Sequence, residues 1–212
     1  MSDAGQIVTV RLPLANTLVH LLRHVLPAAA EYEAGERELS HAWLADQTPG
    51  HWEAEGWKAY RKAAELAVAI DGLTDRAARD LGLGKDAVRA EVGTQCFWPG
   101  TNEPRFGCLE RIRGVANVYK HKALSDPTLP LTSEHDVLAV AVPYGIDSFG
   151  VGKYDGVEVL VHDKAGKRWK FLGDVPVAIG AWIRFLSARG ISCQSRLLRS
   201  AESRCTHETP CQ

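Results

Sequence analysis

Residues 157–190 read VEVLVHDKAGKRWKFLGDVPVAIGAWIRFLSARG, and the hydrophobic period changes within this stretch. Every second residue from 157 to 161 is a valine, and Trp169 and Phe171 repeat the alternation after the short segment 163–166. A period of two on both sides of a turn that ends in Gly166 predicts a β-hairpin. The hairpin is expected to occupy the second half of the chain.

The residues that follow the hairpin take up a helical period. Apolar side chains recur at three- and four-residue steps from Ile179 to Leu186, with Asp174 ahead of them and Gly190 behind. Asp174 is expected to cap the N-terminus of this helix and Gly190 to end it. The apolar run 137–142 predicts a further strand. The glycine-rich segment 145–156 matches neither phosphate-binding fingerprint, and it predicts a mobile connection between two strands.

The first half of the chain is dominated by helical periodicity. Leucines at three- and four-residue steps predict a helix over 14–26, and a second stripe predicts one over 52–70, with a turn at 47–50 between them. Two short helices are expected over 73–81 and 85–92, separated by glycines, and another over about 105–122.

These patterns together predict an α+β fold. Residues 1–125 are expected to form a helical bundle, and residues 126–192 a small antiparallel sheet capped by a helix over 175–189, packed on the bundle as one domain. Residues 193–212 are rich in Ser, Arg and Cys without an apolar period, which predicts a disordered tail.

Composition limits the classes of function. The chain has 212 residues, of which 45% are hydrophobic, and its formal net charge is −1. A near-neutral chain has no general electrostatic attraction to nucleic acid. The absence of a long uninterrupted apolar run predicts no membrane span. The N-terminus lacks a signal-peptide pattern and the five cysteines are an odd number, so we expect reduced thiols and a cytoplasmic location.

One face of the helix expected over 105–122 collects polar groups. Arg113, Asn117 and His121 follow one another at four-residue steps, so they share a face, and Lys120 and Glu110 fall in the same arc. Arginine binds phosphate through two hydrogen bonds, and histidine can move the proton of an RNA 2′-hydroxyl without a metal. The alternative is the polar side that any surface helix presents to water.

This helix also resembles a known family. Residues 112–122 read IRGVANVYKHK, which is similar to the Arg-x-x-Ala-Asn-x-x-Lys-His helix of uncharacterised bacterial and phage helical-bundle proteins. Those proteins resemble the HEPN superfamily, whose active members are metal-independent ribonucleases that act as dimers. The resemblance implies a helical fold, a homodimer, catalytic Arg113 and His121, and Asn117 as a residue that orients the substrate or the imidazole. Many HEPN-like proteins instead serve as binding modules.

Two sets of residue types could hold a metal. His20 and His24 are four residues apart, and Glu38 and His41 are three apart, but the second Glu-x-x-His of a di-metal bundle is missing. The tail carries Cys193, Cys205, His207 and Cys211 at spacings unlike those of structural zinc sites. We therefore expect no metal and no cofactor.

Two functions from different classes remain open. The first is a non-enzymatic interaction module with an unknown protein partner or a second copy of itself. The second is a metal-independent ribonuclease that cleaves RNA through Arg113 and His121, with Asn117 assisting. A dimer with both residues facing one cleft is expected only for the ribonuclease.

Overall fold

The computed structural model of the chain describes residues 13–48, 50–142, 146–147 and 156–191. Helices and a small antiparallel sheet make up these residues, so the predicted α+β class is confirmed. The helices are α1 (Ala15–His20), α2 (Leu26–Ala45), α3 (Glu53–Leu81), α4 (Lys85–Gly93), α5 (Cys108–His121) and α6 (Phe171–Ser187). Most of segment 145–156 and the whole of the tail 193–212 lie outside the described residues, so their predictions stay open.

The first predicted helix is longer than the leucine pattern indicated. A π-helical turn, Leu21–Val25, joins α1 directly to α2, and the chain stays helical through Ala45. Pro27 follows this turn and lacks the N–H that a regular helix would use there. A π-helical turn already departs from the regular hydrogen-bond pattern, which accounts for the proline inside a continuous helical segment.

The prediction of two separate helices over 52–70 and 73–81 was wrong, because α3 runs unbroken from Glu53 to Leu81. Gly72 does not interrupt it. A Cβ atom at Gly72 would lie 3.3 Å from Nε2 of His20, so α1 packs closely against α3 at this position. This tertiary packing outweighs the low helix propensity of glycine. The predicted break at Gly82 is confirmed, since Gly82 ends α3 with φ of 66°.

Three strands form the sheet in the order β1–β2–β3, with β1 at Val137–Val142, β2 at Gly156–His162 and β3 at Arg168–Lys170. Both pairs are antiparallel: Val137 is opposite Val161, and Val161 is opposite Trp169. The predicted hairpin is confirmed, with Gly166 at φ of 78° in its turn. Strands β1 and β3 are the two edges of this sheet.

The sheet and the bundle share one hydrophobic core. Helices α2, α3 and α6 all contact β2, and residues 156–161 of this strand are buried on both faces. Tyr32 of α2 meets Phe171 of α6 edge to face at 5.4 Å. Trp182 and Phe185 of α6 also belong to this core. No helix among the described residues is long and apolar enough to cross a membrane.

The prediction that Asp174 caps the last helix was wrong. Helix α6 begins at Phe171, with Lys170 at the N-cap position, and Asp174 lies inside its first turn. The Asp174 side chain is fully buried and forms ion pairs with Arg105 and Arg111. A carboxylate that is held by two guanidinium groups is not available to cap the backbone.

Candidate functional site

The polar face of α5 brings two of its three predicted residues together. The Asn117 side-chain amide donates a hydrogen bond of 2.8 Å to the carbonyl of Arg113, and Nη2 of Arg113 donates one of 3.2 Å to Asp126. His121 is exposed at the last residue of the helix. Among the described residues, no hydrogen bond or ion pair joins His121 to Arg113 or Asn117. The face therefore holds a linked pair and a separate imidazole.

Arg113 also lines a small cavity between α3, α4 and α5. The cavity measures about 60 Å³ and includes Asp71, Arg89 and Glu110 in its lining. Burial raises the pKa of Asp71, against the opposing effect of Arg89. A space of this size holds a few water molecules and is too small for a nucleotide. Neither Asn117 nor His121 lines it.

The histidines proposed as metal ligands have other roles. The rings of His20 and His24 stack with their centroids 4.8 Å apart, and Nε2 of His20 donates a hydrogen bond of 2.8 Å to the carbonyl of Ala69. Within the described part of the chain, no three His, Cys, Asp or Glu side chains converge where a metal could bind. The set Cys193, Cys205, His207 and Cys211 lies outside that part.

A second feature is a groove between the first half of α3 and strand β1, which we call the aromatic groove. It measures about 300 Å³ and is lined by Trp52, Glu53, Gly56, Trp57, Tyr60, Val137, Leu138 and Ala139. Trp57 is 70% exposed, and its ring meets that of Tyr60 edge to face at 5.8 Å. An indole so exposed is unusual for a residue that proteins mostly bury.

The groove follows the edge of the sheet and not one of its faces. Three consecutive residues of β1 line it, whereas successive side chains of a strand point to opposite faces. Val137 is buried and Leu138 is 37% exposed, as this alternation requires. No strand of the described residues pairs with the outer side of β1. The aromatic side chains thus lie beside a sheet edge that no described strand occupies.

Polar groups in and around the groove point to the kind of ligand it suits. The indole N–H of Trp52 is shielded from solvent and meets no hydrogen-bond acceptor in the described part of the chain. Burial and the negative charge of Glu134 raise the pKa of Tyr60. Glu134 is therefore close to the end of the groove that Tyr60 lines. Glu53 lies in its lining. The groove therefore offers apolar surface and negative charge.

A third feature, which the sequence pattern did not indicate, is a network of four buried charged residues. Asp174 binds both Arg105 and Arg111, and Arg105 also binds Asp147 through hydrogen bonds of 3.0 and 2.7 Å. Burial alone would lower the pKa of Arg105, but its bonds to Asp147 and the charge of Asp174 raise it. Trp169 lies against Arg111, with the guanidinium carbon 3.8 Å from the ring centroid.

The network joins elements that are distant in the chain. Arg105 precedes α5, Asp174 lies in the first turn of α6, and the backbone N–H of Lys170 donates to Asp147. Because all four side chains are almost fully shielded from solvent, they position these elements and do not present charge to a ligand. One sequence signal could have revealed Asp174: it lies three and four residues from Phe171 and Ala178, on the apolar side of α6.

Comparisons with protein-family models, curated proteins and solved structures found no match to this chain.

Proposed function

We propose that this chain is a non-enzymatic interaction module that binds an extended segment of a partner protein in the aromatic groove, as an additional strand beside β1. The observation that carries the proposal is Trp57, 70% exposed next to a sheet edge that no described strand occupies. Exposed indole rings are over-represented among the residues that dominate binding energy.

Strand addition supplies the main-chain part of the recognition. An edge strand presents a row of N–H and C=O groups that a second extended chain can bond. Leu138 lies on this row, and the aromatic side chains of α3 form the opposite wall of the groove. A bound segment would therefore make main-chain hydrogen bonds on one side and apolar contacts on the other.

The charges favour a basic protein segment over RNA as the ligand. Glu53 lines the groove and Glu134 lies near its Tyr60 end, and no described residue forms an ion pair with either. Carboxylates repel phosphate and attract Lys or Arg side chains. The partner segment is expected to alternate apolar residues, which contact the aromatic rings, with Lys or Arg residues that lie near Glu53 and Glu134.

The test begins with selection of linear peptides from a displayed random library on the full-length chain. Basic, proline-poor peptides with alternating apolar residues are expected, and the strongest is then synthesised for titration calorimetry. Trp57→Ala should weaken its binding about tenfold or more. Phe106→Ala is the matched control, because Phe106 is also an exposed aromatic residue, 80% exposed, and lies outside the groove. This control should bind within about twofold of the unchanged protein.

Three results would overturn the proposal. One is a selection that enriches no extended basic peptides, and another is equal binding by Trp57→Ala and the unchanged protein. The third is a dimer in size exclusion with light scattering that dissociates in Trp57→Ala, because the groove would then be covered by a second copy of the chain.

The metal-independent ribonuclease remains a second candidate. The observation that favours it is the exposure of Lys120 and His121 one turn beyond the linked pair of Arg113 and Asn117, which leaves an imidazole and an ammonium group open to a ligand. This function predicts cleavage of single-stranded RNA in EDTA, lost in His121→Ala but retained in His135→Ala, where another exposed histidine is removed. RNA that stays intact with the unchanged protein removes this candidate.

A further inference from the structure

Two cysteines outside the aromatic groove line a second groove together. Cys96 and Cys108 are both buried, and the Cys108 thiol is near enough to the Cys96 sulfur to affect its pKa. The Cys96 thiol itself donates a hydrogen bond of 3.8 Å to the carbonyl of Val92. The backbone holds the two cysteines in this arrangement: the N–H of Arg105 donates to the carbonyl of Cys96 at 2.9 Å, and Phe97 pairs with Pro104 in an antiparallel bridge. The segments that carry the two cysteines are therefore held side by side by a fixed turn of the chain.

The pair lines a groove that reaches the surface between α4 and the start of α5. This groove measures about 580 Å³, and its lining includes both cysteines and the highly exposed Phe106. Cys96 is only 6% exposed and lines this groove, so the groove gives a small molecule, and not a folded protein, access to this residue. The site thus suits a small reactant.

The two thiols differ in their surroundings. The neighbouring Cys108 thiol lowers the pKa of Cys96, and the nearby Arg184 acts in the same direction, while burial, Glu110 and Asp174 oppose it. Arg184 is held in place by hydrogen bonds of 2.6 and 3.1 Å to the carbonyl of Gln95. The neighbouring Cys96 and burial raise the pKa of Cys108. Cys96 is the group that more readily becomes a thiolate.

We propose that Cys96 and Cys108 form an oxidation site for small hydroperoxides, in which hydrogen peroxide converts the two thiols into an intramolecular disulfide. The Cys96 thiolate attacks one peroxide oxygen, the O–O bond breaks, and the leaving hydroxide takes up a proton as water. Cys108 then gives up its proton and attacks the sulfur of the Cys96 sulfenic acid, and the S–O bond breaks to release a second water. Two thiols lose two electrons, and one peroxide gains them.

The test uses the full-length chain with Cys193, Cys205 and Cys211 replaced by serine, so that only this pair can react. After treatment with about one equivalent of hydrogen peroxide, the intact mass should fall by two hydrogen atoms. Trypsin cleaves after Arg89, Arg105 and Arg111 and so separates the two cysteines into residues 90–105 and 106–111. These peptides should be linked without reductant and separate after reduction.

Single variants assign the roles. In Cys108→Ser, dimedone should trap a sulfenic acid on Cys96. In Cys96→Ser, Cys108 should react with peroxide at least about tenfold more slowly than Cys96 does in Cys108→Ser. Circular dichroism of each single variant checks that it folds. The disulfide test itself does not depend on these variants, because it uses the protein in which Cys96 and Cys108 are both kept. The proposal is overturned if both thiols stay reduced under peroxide, or if the linked peptides form only in guanidinium. It is also overturned if Cys108 oxidises as fast in Cys96→Ser as Cys96 does in Cys108→Ser.

Discussion

Arg111 binds Asp174 through two parallel hydrogen bonds, from Nε to Oδ2 and from Nη2 to Oδ1, each 2.7 Å long. Both side chains are almost fully buried, and the Arg111 Nη1 group also donates to the carbonyl of Phe106. This pair connects the start of α6 to α5, and through Phe106 to the segment that carries Arg105. It thereby determines how the last helix lies against the bundle.

Replacement of Asp174 by alanine is expected to lower the free energy of unfolding by about 3–5 kcal/mol, because it leaves the buried guanidinium of Arg111 without its carboxylate. Urea denaturation measures this change. Asp126→Ala is the matched control, because Asp126 is partly exposed to water, which weakens its ion pair with Arg113 and its hydrogen bonds to Thr128. This variant should lose much less stability than Asp174→Ala. If both variants lost the same free energy of unfolding, the assignment of Asp174 to a buried network would be contradicted.

Gly107→Ala is expected to destabilise the protein by about 1–3 kcal/mol for two separate reasons. Gly107 has φ of 75°, which disfavours any side chain, and a Cβ atom there would lie 2.9 Å from Nη1 of Arg111. Gly93→Ala serves as the control, because it lies at the end of α4 with no atom within 4 Å of a new Cβ. The unfolding temperature should fall for Gly107→Ala and stay unchanged for Gly93→Ala. A Gly107→Ala variant as stable as the unchanged protein would contradict the close approach of Arg111 to Gly107.

Stability is expected to fall as the pH drops from about 7.5 to 5.5, partly because of His20. Burial lowers the pKa of His20 below its ordinary value of 6.5, and the nearby Arg76 acts in the same direction. The unfolded chain therefore takes up this proton first, so the contribution is complete above about pH 6.5 and is lost as the pH falls below it. Measurement of the free energy of unfolding as a function of pH shows this fall in stability.

The control for this pH dependence is His20→Gln. Glutamine can still donate a hydrogen bond to the carbonyl of Ala69, but it does not titrate. The variant is expected to lose less stability than the unchanged protein over the same pH range. An identical slope in both proteins would show that His20 does not contribute.

The elements that the sequence predicted correctly depend on local signals. The hairpin of β2 and β3 needs only a period of two and the turn that ends in Gly166, and both are visible within a dozen residues. The end of α3 at Gly82 follows from one glycine that adopts a positive φ. Both elements depend on residues that are close together in the chain, so they can be recognised from the pattern alone.

The sites depend on contacts that the pattern does not contain. Asp174 was assigned to a helix cap because nothing nearby in the chain indicates that Arg105, 69 residues earlier, binds it. Trp57 fits the apolar stripe of α3 equally well whether it is buried or exposed, and only the position of β1 decides this. The Arg113, Asn117 and His121 face was recognisable as a helix face, but the link between Asn117 and Arg113 was not.

The most direct test of strand addition at β1 is hydrogen exchange of the full-length chain with and without the selected peptide. Amides of residues 137–140 that exchange in the free protein should become at least about tenfold slower in the complex, because they then bond to the added strand. Residues 168–170 of the opposite edge, β3, should keep their exchange rates. Unchanged exchange at 137–140 under saturating peptide would contradict the addition of a strand at β1.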